Sequence, residues 1–135
     1  ETLWARTAAA YPLSAAARNN LGRAYAEQGR QAEAVEQFRA AVDLLPGFLH
    51  ARYNLASLLM AEDRLAEAEA ELRRVVEQEP RLAQAWSDLG NALLRQGRAR
   101  EALAAYDRAL AEQPDFADAR HNRDIALRVV AEGGR

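Results

Sequence analysis

The side chains best suited to chemistry in this sequence are two histidines and one acidic run. His50 and His121 lie far apart, and Asn54 and Ile125 stand four residues after them, where a second metal ligand would be needed. The glutamates of residues 67–80 have helical spacing and arginines nearby, which favours a convex, ion-paired face over paired-carboxylate catalysis. We find no cysteine, nucleophile elbow, phosphate loop or zinc-protease signature. We therefore expect no enzyme, metal or cofactor.

A second set of polar side chains recurs at a constant step. Its members are short and hydrogen-bonding: Asn20, Asn54, Asp88 and Asn122, each 34 residues after the one before. The four prolines keep the same interval, at positions 12, 46, 80 and 114. Three further positions recur at this interval: one is leucine in each unit, one is a small residue, and one is an aromatic residue or leucine. Such an interval indicates an internal repeat in which each unit is one supersecondary structure.

Each unit reads as two helices. In the first full unit we predict them over residues 14–28 and 31–45. Gly29 separates them and Gly97 has the same role later, because glycine adopts the left-handed conformation that ends a helix at little cost. Asp63 takes that position in the middle unit, which predicts a costlier turn there.

Particular residues in the sequence indicate where each helix ends and where the two helices of a unit touch. Pro46 and its repeats should end the second helix of each unit. Ser14 and Asp115 are predicted N-caps. Gly22 and Gly90, with Ala56 between them, should lie where the two helices of a unit press together, since a larger side chain there would push them apart. One unit alone leaves its apolar faces uncovered, so neighbouring units must stack.

Composition supports an all-α protein and excludes several functions. Half of the residues are hydrophobic and glycine and proline are few, with alanine dominant. A formal net charge of −2 argues against electrostatic nucleic-acid binding. No apolar run approaches the roughly 20 residues that span a bilayer, so we expect no direct membrane insertion. The opening at Glu1, in mid-pattern, suggests a piece of a longer protein; cytoplasmic and periplasmic locations both stay open.

The segments "NNLGRAYAEQGRQAEAVEQFRAAVDLLP" and "AWSDLGNALLRQGRAREALAAYDRALAEQP" resemble the tetratricopeptide repeat. The resemblance places three whole units at 15–48, 49–82 and 83–116. Residues 1–14, with Trp4 and Pro12 in register, read as the second helix of a truncated repeat. Residues 117–135 read as a capping helix and a frayed tail, with a degenerate further repeat as the alternative. The implied fold is an all-α, right-handed solenoid of helix-turn-helix repeats.

The resemblance also implies a concave groove lined by the first helix of each unit. The expected groove residues are Asn19, Asn20, Arg23 and Glu27; His50, Tyr53, Asn54, Ser57 and Met60; Gln84, Ser87, Asp88, Asn91, Leu94 and Arg95; and His121, Asn122 and Arg128. Within this set the four repeated polar residues would form a ladder that hydrogen-bonds an extended peptide. The alternative is that these side chains bridge adjacent helices.

One family role can be compared residue by residue. Chaperone-binding tetratricopeptide domains hold a C-terminal carboxylate with lysine, asparagine, asparagine, lysine and arginine on successive helices. Here those positions hold Asn19, Arg23, Asn54, Gln84 and Asp88. Asn54 alone matches, and Asp88 would repel a carboxylate, so a chaperone-tail clamp is not expected.

The function predicted from these features is a protein interaction module that binds a peptide or helix segment in the groove. One alternative is the substrate-recruiting array of a larger glycosyltransferase, since the repeats resemble those of O-linked N-acetylglucosamine transferases and residues 1–22 resemble the junction in membrane glycosyltransferases. Another is self-association through exposed terminal helices, giving a homo-oligomer.

Overall fold

The structure, a computed structural model, describes residues 13–133. Over those residues the chain forms seven α-helices and no strand. The helices are α1 (Ala15–Glu27), α2 (Gln31–Leu44), α3 (Leu49–Ala61), α4 (Leu65–Gln78), α5 (Ala83–Arg95), α6 (Ala99–Glu112) and α7 (Ala117–Ala131). The predicted all-α helical repeat fold is confirmed. None of the seven has the length and apolar character that a bilayer crossing requires.

The helices fall into two compact units that divide within α3, between Leu58 and Leu59. In the first unit α1 packs on α2. In the second, α5 packs on both α4 and α6, and α6 packs on α7. The predicted helix of a truncated repeat, with Trp4 and Pro12, lies outside the described residues except at its last two positions, and so does the end of the predicted frayed tail.

The two predicted N-caps have opposite outcomes. Ser14 caps α1, and its hydroxyl accepts a hydrogen bond from the backbone N–H of Ala17 at 3.1 Å. The prediction for Asp115 is wrong, because Phe116 is the N-cap of α7 and makes no side-chain capping bond. Asp115 lies one residue too early, in the turn that follows Pro114.

The turns inside the repeats adopt the conformations that the sequence predicts. Gly29 and Gly97 have φ values of 77° and 79°. Asp63 has φ 61° and is the one non-glycine residue in this region among the described residues. The left-handed conformation at Asp63 agrees with the predicted turn, and the extra cost of a side chain there stays a prediction.

Proline ends the second helix of each repeat by constraining the residue before it. Leu45, Glu79 and Gln113 precede the prolines and have φ between −142° and −137° with ψ between 82° and 87°. These extended conformations are the ones that a following proline ring enforces. The helix therefore stops one residue before each of them.

The glycines inside the first helices allow a close approach of an aromatic ring. A Cβ at Gly22 would lie 2.7 Å from Cε1 of Phe38, and one at Gly90 would lie 2.5 Å from Cε1 of Tyr106. Phe38 and Tyr106 are buried in α2 and α6, the second helices of the same repeats. The predicted helix-contact role of these two glycines is confirmed, and the helix cost of about 1 kcal/mol per glycine is offset by ring burial.

A hydrogen bond to the proline carbonyl fixes each loop between repeats. The donor lies six residues after the proline and on the following helix: Arg52 Nη2 to Pro46 O at 2.9 Å, Trp86 Nε1 to Pro80 O at 2.8 Å, and Arg120 Nη2 to Pro114 O at 2.9 Å. Each proline lies beyond the last residue of its helix, so these bonds satisfy loop carbonyls rather than helical ones. The position thus requires a long donor, whether guanidinium or indole.

Two glutamates of the acidic run form ion pairs, Glu67 with Arg64 and Glu69 with Arg73 and Arg98, in partial agreement with the predicted ion-paired face. In the second unit the carboxylate of Glu69 on α4 accepts hydrogen bonds from Arg73 Nε at 2.8 Å, Arg98 Nη1 at 2.7 Å and Gln96 Nε2 at 3.0 Å. Burial of this carboxylate tends to raise its pKa, but the three hydrogen bonds outweigh that effect and the pKa is lowered. The Glu69 network therefore ties α4 to the turn between α5 and α6.

Candidate peptide-binding surface

In the first unit, a pair of amides joins the two predicted groove helices. Asn54 on α3 donates from Nδ2 to Oδ1 of Asn19 on α1 at 3.1 Å. Asn19 is buried, with 7% of its surface exposed, and Asn54 is half-buried. The interpretation in which these side chains bridge adjacent helices therefore holds for Asn54. Its second amide hydrogen and its carbonyl oxygen remain available for a ligand.

A polar cavity of about 500 Å³ lies beside this amide pair. Two amides, a guanidinium, a phenyl ring and an imidazole line it. They belong to Asn19 and Asn54, Arg23, Phe48 and His50. Arg23 is exposed and makes no hydrogen bond or ion pair with the other residues from 13 to 133. No carboxylate lines this cavity, so its electrostatic character is set by the guanidinium.

A smaller cavity of about 260 Å³ shares Arg23 and Asn54 with the polar one. Phe38, Ala26 and Leu58 give it an apolar lining, and its remaining residues are Glu27 and Ser57. The first unit therefore has an apolar cavity and a cationic cavity side by side. Apolar lining with a few placed polar groups is the usual character of a ligand site.

The remaining predicted residues of the first unit do not all reach these cavities. Asn20 is exposed and lines neither, although it was predicted as the first rung of the ladder. Tyr53 is half-buried and also lines neither. One residue along a helix is a rotation of about 100°, which is why Asn19 faces α3 and Asn20 faces solvent.

In the second unit one amide oxygen accepts hydrogen bonds from two neighbouring helices. Oδ1 of Asn91 on α5 accepts from the Tyr106 hydroxyl at 2.6 Å and from Nδ2 of Asn122 on α7 at 3.0 Å. Burial, with a smaller effect of the nearby Asp88 carboxylate, raises the pKa of the Tyr106 phenol. The Tyr106 hydroxyl therefore stays protonated and remains the donor to Asn91.

Several other predicted groove residues of the second unit are buried or bonded to residues of the same unit. Ser87 is only 2% exposed, so it cannot present its hydroxyl to a ligand. Asp88 accepts from Nε2 of Gln84 at 3.1 Å. Arg95 pairs with Asp63 at 2.8 Å and donates to the backbone oxygen of Met60 at 3.3 Å. Leu94 is half-buried, while His121 and Arg128 are exposed.

Sequence reasoning missed several cavity residues. Phe38, Phe48, Ala26 and Leu58 line the cavities but were not predicted at the site. One signal was present: the aromatic position of the repeat is phenylalanine at 38 and tyrosine at 106. The tyrosine hydroxyl donates to Asn91, whereas phenylalanine has no such donor. Over the described residues, no three or more histidine, aspartate or glutamate side chains cluster as a metal site would require.

The repeat, the close helix contacts and the paired amides match one known class. The family profile described as tetratricopeptide repeat matches residues 1–47 and 53–115, which is most of the chain. The chain belongs to the tetratricopeptide repeat family. Among curated proteins no sequence gives a significant match.

Several solved structures share the fold. The first tetratricopeptide domain of Spaghetti (RPAP3), bound to the HSP90 peptide SRMEEVD, is 24% identical, with 87% of this chain and 94% of that one covered and a TM-score of 0.82. The protein MamA is 24% identical, with 96% of this chain and 75% of MamA covered and a TM-score of 0.87. YrrB, described as having an unusual peptide-binding site, is 25% identical, with 90% of this chain and 62% of YrrB covered and a TM-score of 0.82.

Proposed function

We propose that this chain is a non-enzymatic interaction module that binds a peptide segment of a protein partner. The observation that carries the proposal is the polar cavity between α1 and α3, with the Asn54 amide and the Arg23 guanidinium at its edge. Solved relatives of the same fold are described as peptide-bound or peptide-binding, which supports the same use here. An extended peptide offers backbone N–H and C=O groups, and an amide side chain can pair with either.

Within the predicted ladder, we assign the contact to Asn54 and not to Asn20. Asn54 lines both cavities of the first unit, whereas Asn20 lines neither. Residues Ser87 and Asn19 are left out as direct contacts because they are buried. In the second unit, Asn91 uses its carbonyl on Tyr106 and Asn122, so we expect weaker peptide contact from these amides.

The experiment is selection of peptides from a random 12-residue display library by the 135-residue chain, followed by affinity measurement on the selected peptides. We expect Asn54→Ala to weaken binding about tenfold, the effect of removing one important interface residue. Asn20→Ala is the matched control in the same repeat position and should bind as the parent does. Helicity and thermal unfolding of each variant separate loss of contact from loss of fold.

The combined variant Asn20→Ala with Asn54→Ala should behave as Asn54→Ala alone. Failure to select any peptide would refute the proposed function. Equal binding by the parent and the Asn54→Ala variant would remove the amide from the mechanism.

The chaperone-tail clamp is still not proposed. Asp88 accepts a hydrogen bond from Gln84 and remains an acidic group where a cation is needed. A peptide ending in the sequence of the HSP90 tail is therefore a useful negative probe, and we expect it to bind no better than its amidated form.

Two further hypotheses have narrower support. A role as the substrate-recruiting array of a glycosyltransferase depends on the resemblance of the repeats and of residues 1–22, and the sequence of the parent gene decides it. Self-association would use the exposed terminal helices, and molar mass across a concentration series tests it. Neither hypothesis depends on the two cavities of the first unit.

A further inference from the structure

The polar cavity of the first unit is lined by flat side chains that suit an aromatic ring. The Phe48 ring is half-buried, and the His50 imidazole and the Arg23 guanidinium are exposed. A cavity of about 150 Å³ is already large enough to hold benzene, and this one measures about 500 Å³. An aromatic side chain therefore fits, together with part of the backbone that carries it.

Elsewhere in this chain, arginine guanidinium groups stack on aromatic rings. The guanidinium carbon of Arg30 lies 4.4 Å from the centre of the Tyr25 ring, and that of Arg108 lies 4.6 Å from the Trp86 ring. A cation at this distance is attracted by the negative face of the ring. Arg23 has no such ring and no acidic partner among residues 13–133, so its guanidinium is available for a ring that a ligand supplies.

A phenol hydroxyl already pairs with an asparagine amide in the second unit. There Tyr106 donates to Oδ1 of Asn91 at 2.6 Å. In the first unit, Asn54 gives one amide hydrogen to Asn19 at 3.1 Å, and its own carbonyl oxygen stays available for a phenol hydroxyl. The second amide hydrogen of Asn54 is left for a backbone carbonyl of the peptide. A hydroxyl contact and a backbone contact at this amide therefore do not compete.

The Phe48 ring favours an aromatic occupant over an acidic one. It packs against the buried cluster of Ala41, Val42 and Ala51, which holds the ring in place. Two aromatic rings attract each other in offset-stacked or edge-to-face arrangements. A carboxylate would pair with the Arg23 guanidinium but would gain nothing from the ring. An acidic side chain is therefore the competing occupant that an experiment must exclude.

We infer that the polar cavity of the first unit binds a tyrosine side chain of the partner peptide. The ring lies against the Arg23 guanidinium and the Phe48 ring, and the hydroxyl donates to Oδ1 of Asn54. Tyrosine suits the cavity because its rigid ring loses little conformational entropy on binding and its hydroxyl finds a hydrogen-bond partner there. Tyrosine is thus the ligand class of the site, an assignment that rests on the proposed function.

The test starts from the peptides that the 135-residue chain selects from the random 12-residue library. Tyrosine should be more frequent in the selected peptides than in the unselected library. In the tightest-binding peptide, synthesised with an amidated end and a fluorescein label, that tyrosine is replaced in turn by phenylalanine, leucine and glutamate. Fluorescence anisotropy with the whole chain gives the affinity of each peptide.

We expect the tyrosine peptide to bind about tenfold more tightly than the leucine peptide, with the phenylalanine peptide between them because it keeps the ring and lacks the hydroxyl. Arg23→Gln should abolish the preference for tyrosine over leucine. Arg74→Gln, which removes an exposed arginine of the second unit, is the matched control and should keep it. Asn54→Ala should abolish the preference for tyrosine over phenylalanine, because the acceptor of the hydroxyl is gone.

Selected peptides without enriched tyrosine, equal binding of the tyrosine and leucine peptides, or an unchanged preference in Arg23→Gln would overturn the inference. Tighter binding of the glutamate peptide would also overturn it and assign the cavity to a carboxylate. In each of these cases the selected peptides still bind, so the proposed function stands. If the library yields no binding peptide, both fail.

Discussion

The close approach of Gly90 to the Tyr106 ring gives a prediction whose size can be worked from the structure. In Gly90→Ala the added Cβ would lie 2.5 Å, 2.7 Å and 2.8 Å from ring atoms Cε1, Cδ1 and Cζ. All three distances are below any real carbon contact, so the ring must move. The ring is fully buried, and its hydroxyl is held by Asn91 at 2.6 Å, so it has no free direction in which to move.

Two opposing effects set the magnitude for Gly90→Ala. Alanine improves helix propensity by about 1 kcal/mol, whereas overpacking a well-filled core costs about 1–3 kcal/mol. Since Tyr106 is fixed at both ends, we expect the upper part of that cost and a net loss of about 1–2 kcal/mol in the free energy of unfolding. Gly47→Ala is the matched control, because a Cβ there meets nothing within 4 Å.

The assay is urea unfolding followed by far-ultraviolet circular dichroism at neutral pH. Gly47→Ala should change the free energy of unfolding by less than about 0.5 kcal/mol. A double-mutant cycle adds Tyr106→Leu, which removes the ring that the added Cβ of Gly90→Ala would meet. The alanine should then cost less than it does beside tyrosine. The reasoning is refuted if Gly90→Ala is as stable as the parent, or costs the same in both backgrounds.

Two further predictions concern the turn and the ion-pair network. Gly97→Ala should lose about 1 kcal/mol without any clash, because φ is 79° and a Cβ there meets nothing within 4 Å; an unchanged midpoint of urea unfolding would contradict this. Because the folded pKa of Glu69 is below its unfolded value, its stabilising contribution is complete above about pH 4.3 and is lost as pH falls through the folded value. The stability difference between the parent and Glu69→Gln should therefore shrink between neutral pH and about pH 3, and a constant difference would exclude a native-state role for this carboxylate.

The repeat fold could be predicted from the sequence because its signals are local or strictly periodic. The prolines that end helices, the turn glycines and the glycines at the helix contact all act within one repeat, and the structure confirms them. The N-cap prediction for Asp115 is wrong because the cap position depends on the backbone conformation after Pro114, which makes Phe116 the N-cap.

The site was harder to predict because it depends on contacts between repeats. Asn19 and Asn20 look alike in sequence, but only Asn19 faces the Asn54 amide from a helix 35 positions away. The apolar cavity is lined by the Phe38 ring, whereas the tyrosine at the same repeat position, Tyr106, donates its hydroxyl to Asn91. A family pattern treats those two aromatics as equivalent, and so it does not predict that one of them makes a hydrogen bond and the other does not.

The hydrogen bonds to the three proline carbonyls have a consequence for how such an array can vary. Arg52, Trp86 and Arg120 hold the same kind of loop, but two of them carry a positive charge and one does not. An exchange of arginine for tryptophan at this position alters the local electrostatic potential while the loop keeps its anchor. Adjacent repeats can therefore diverge in charge, and so in the ligands they attract, without any change in the backbone that spaces them.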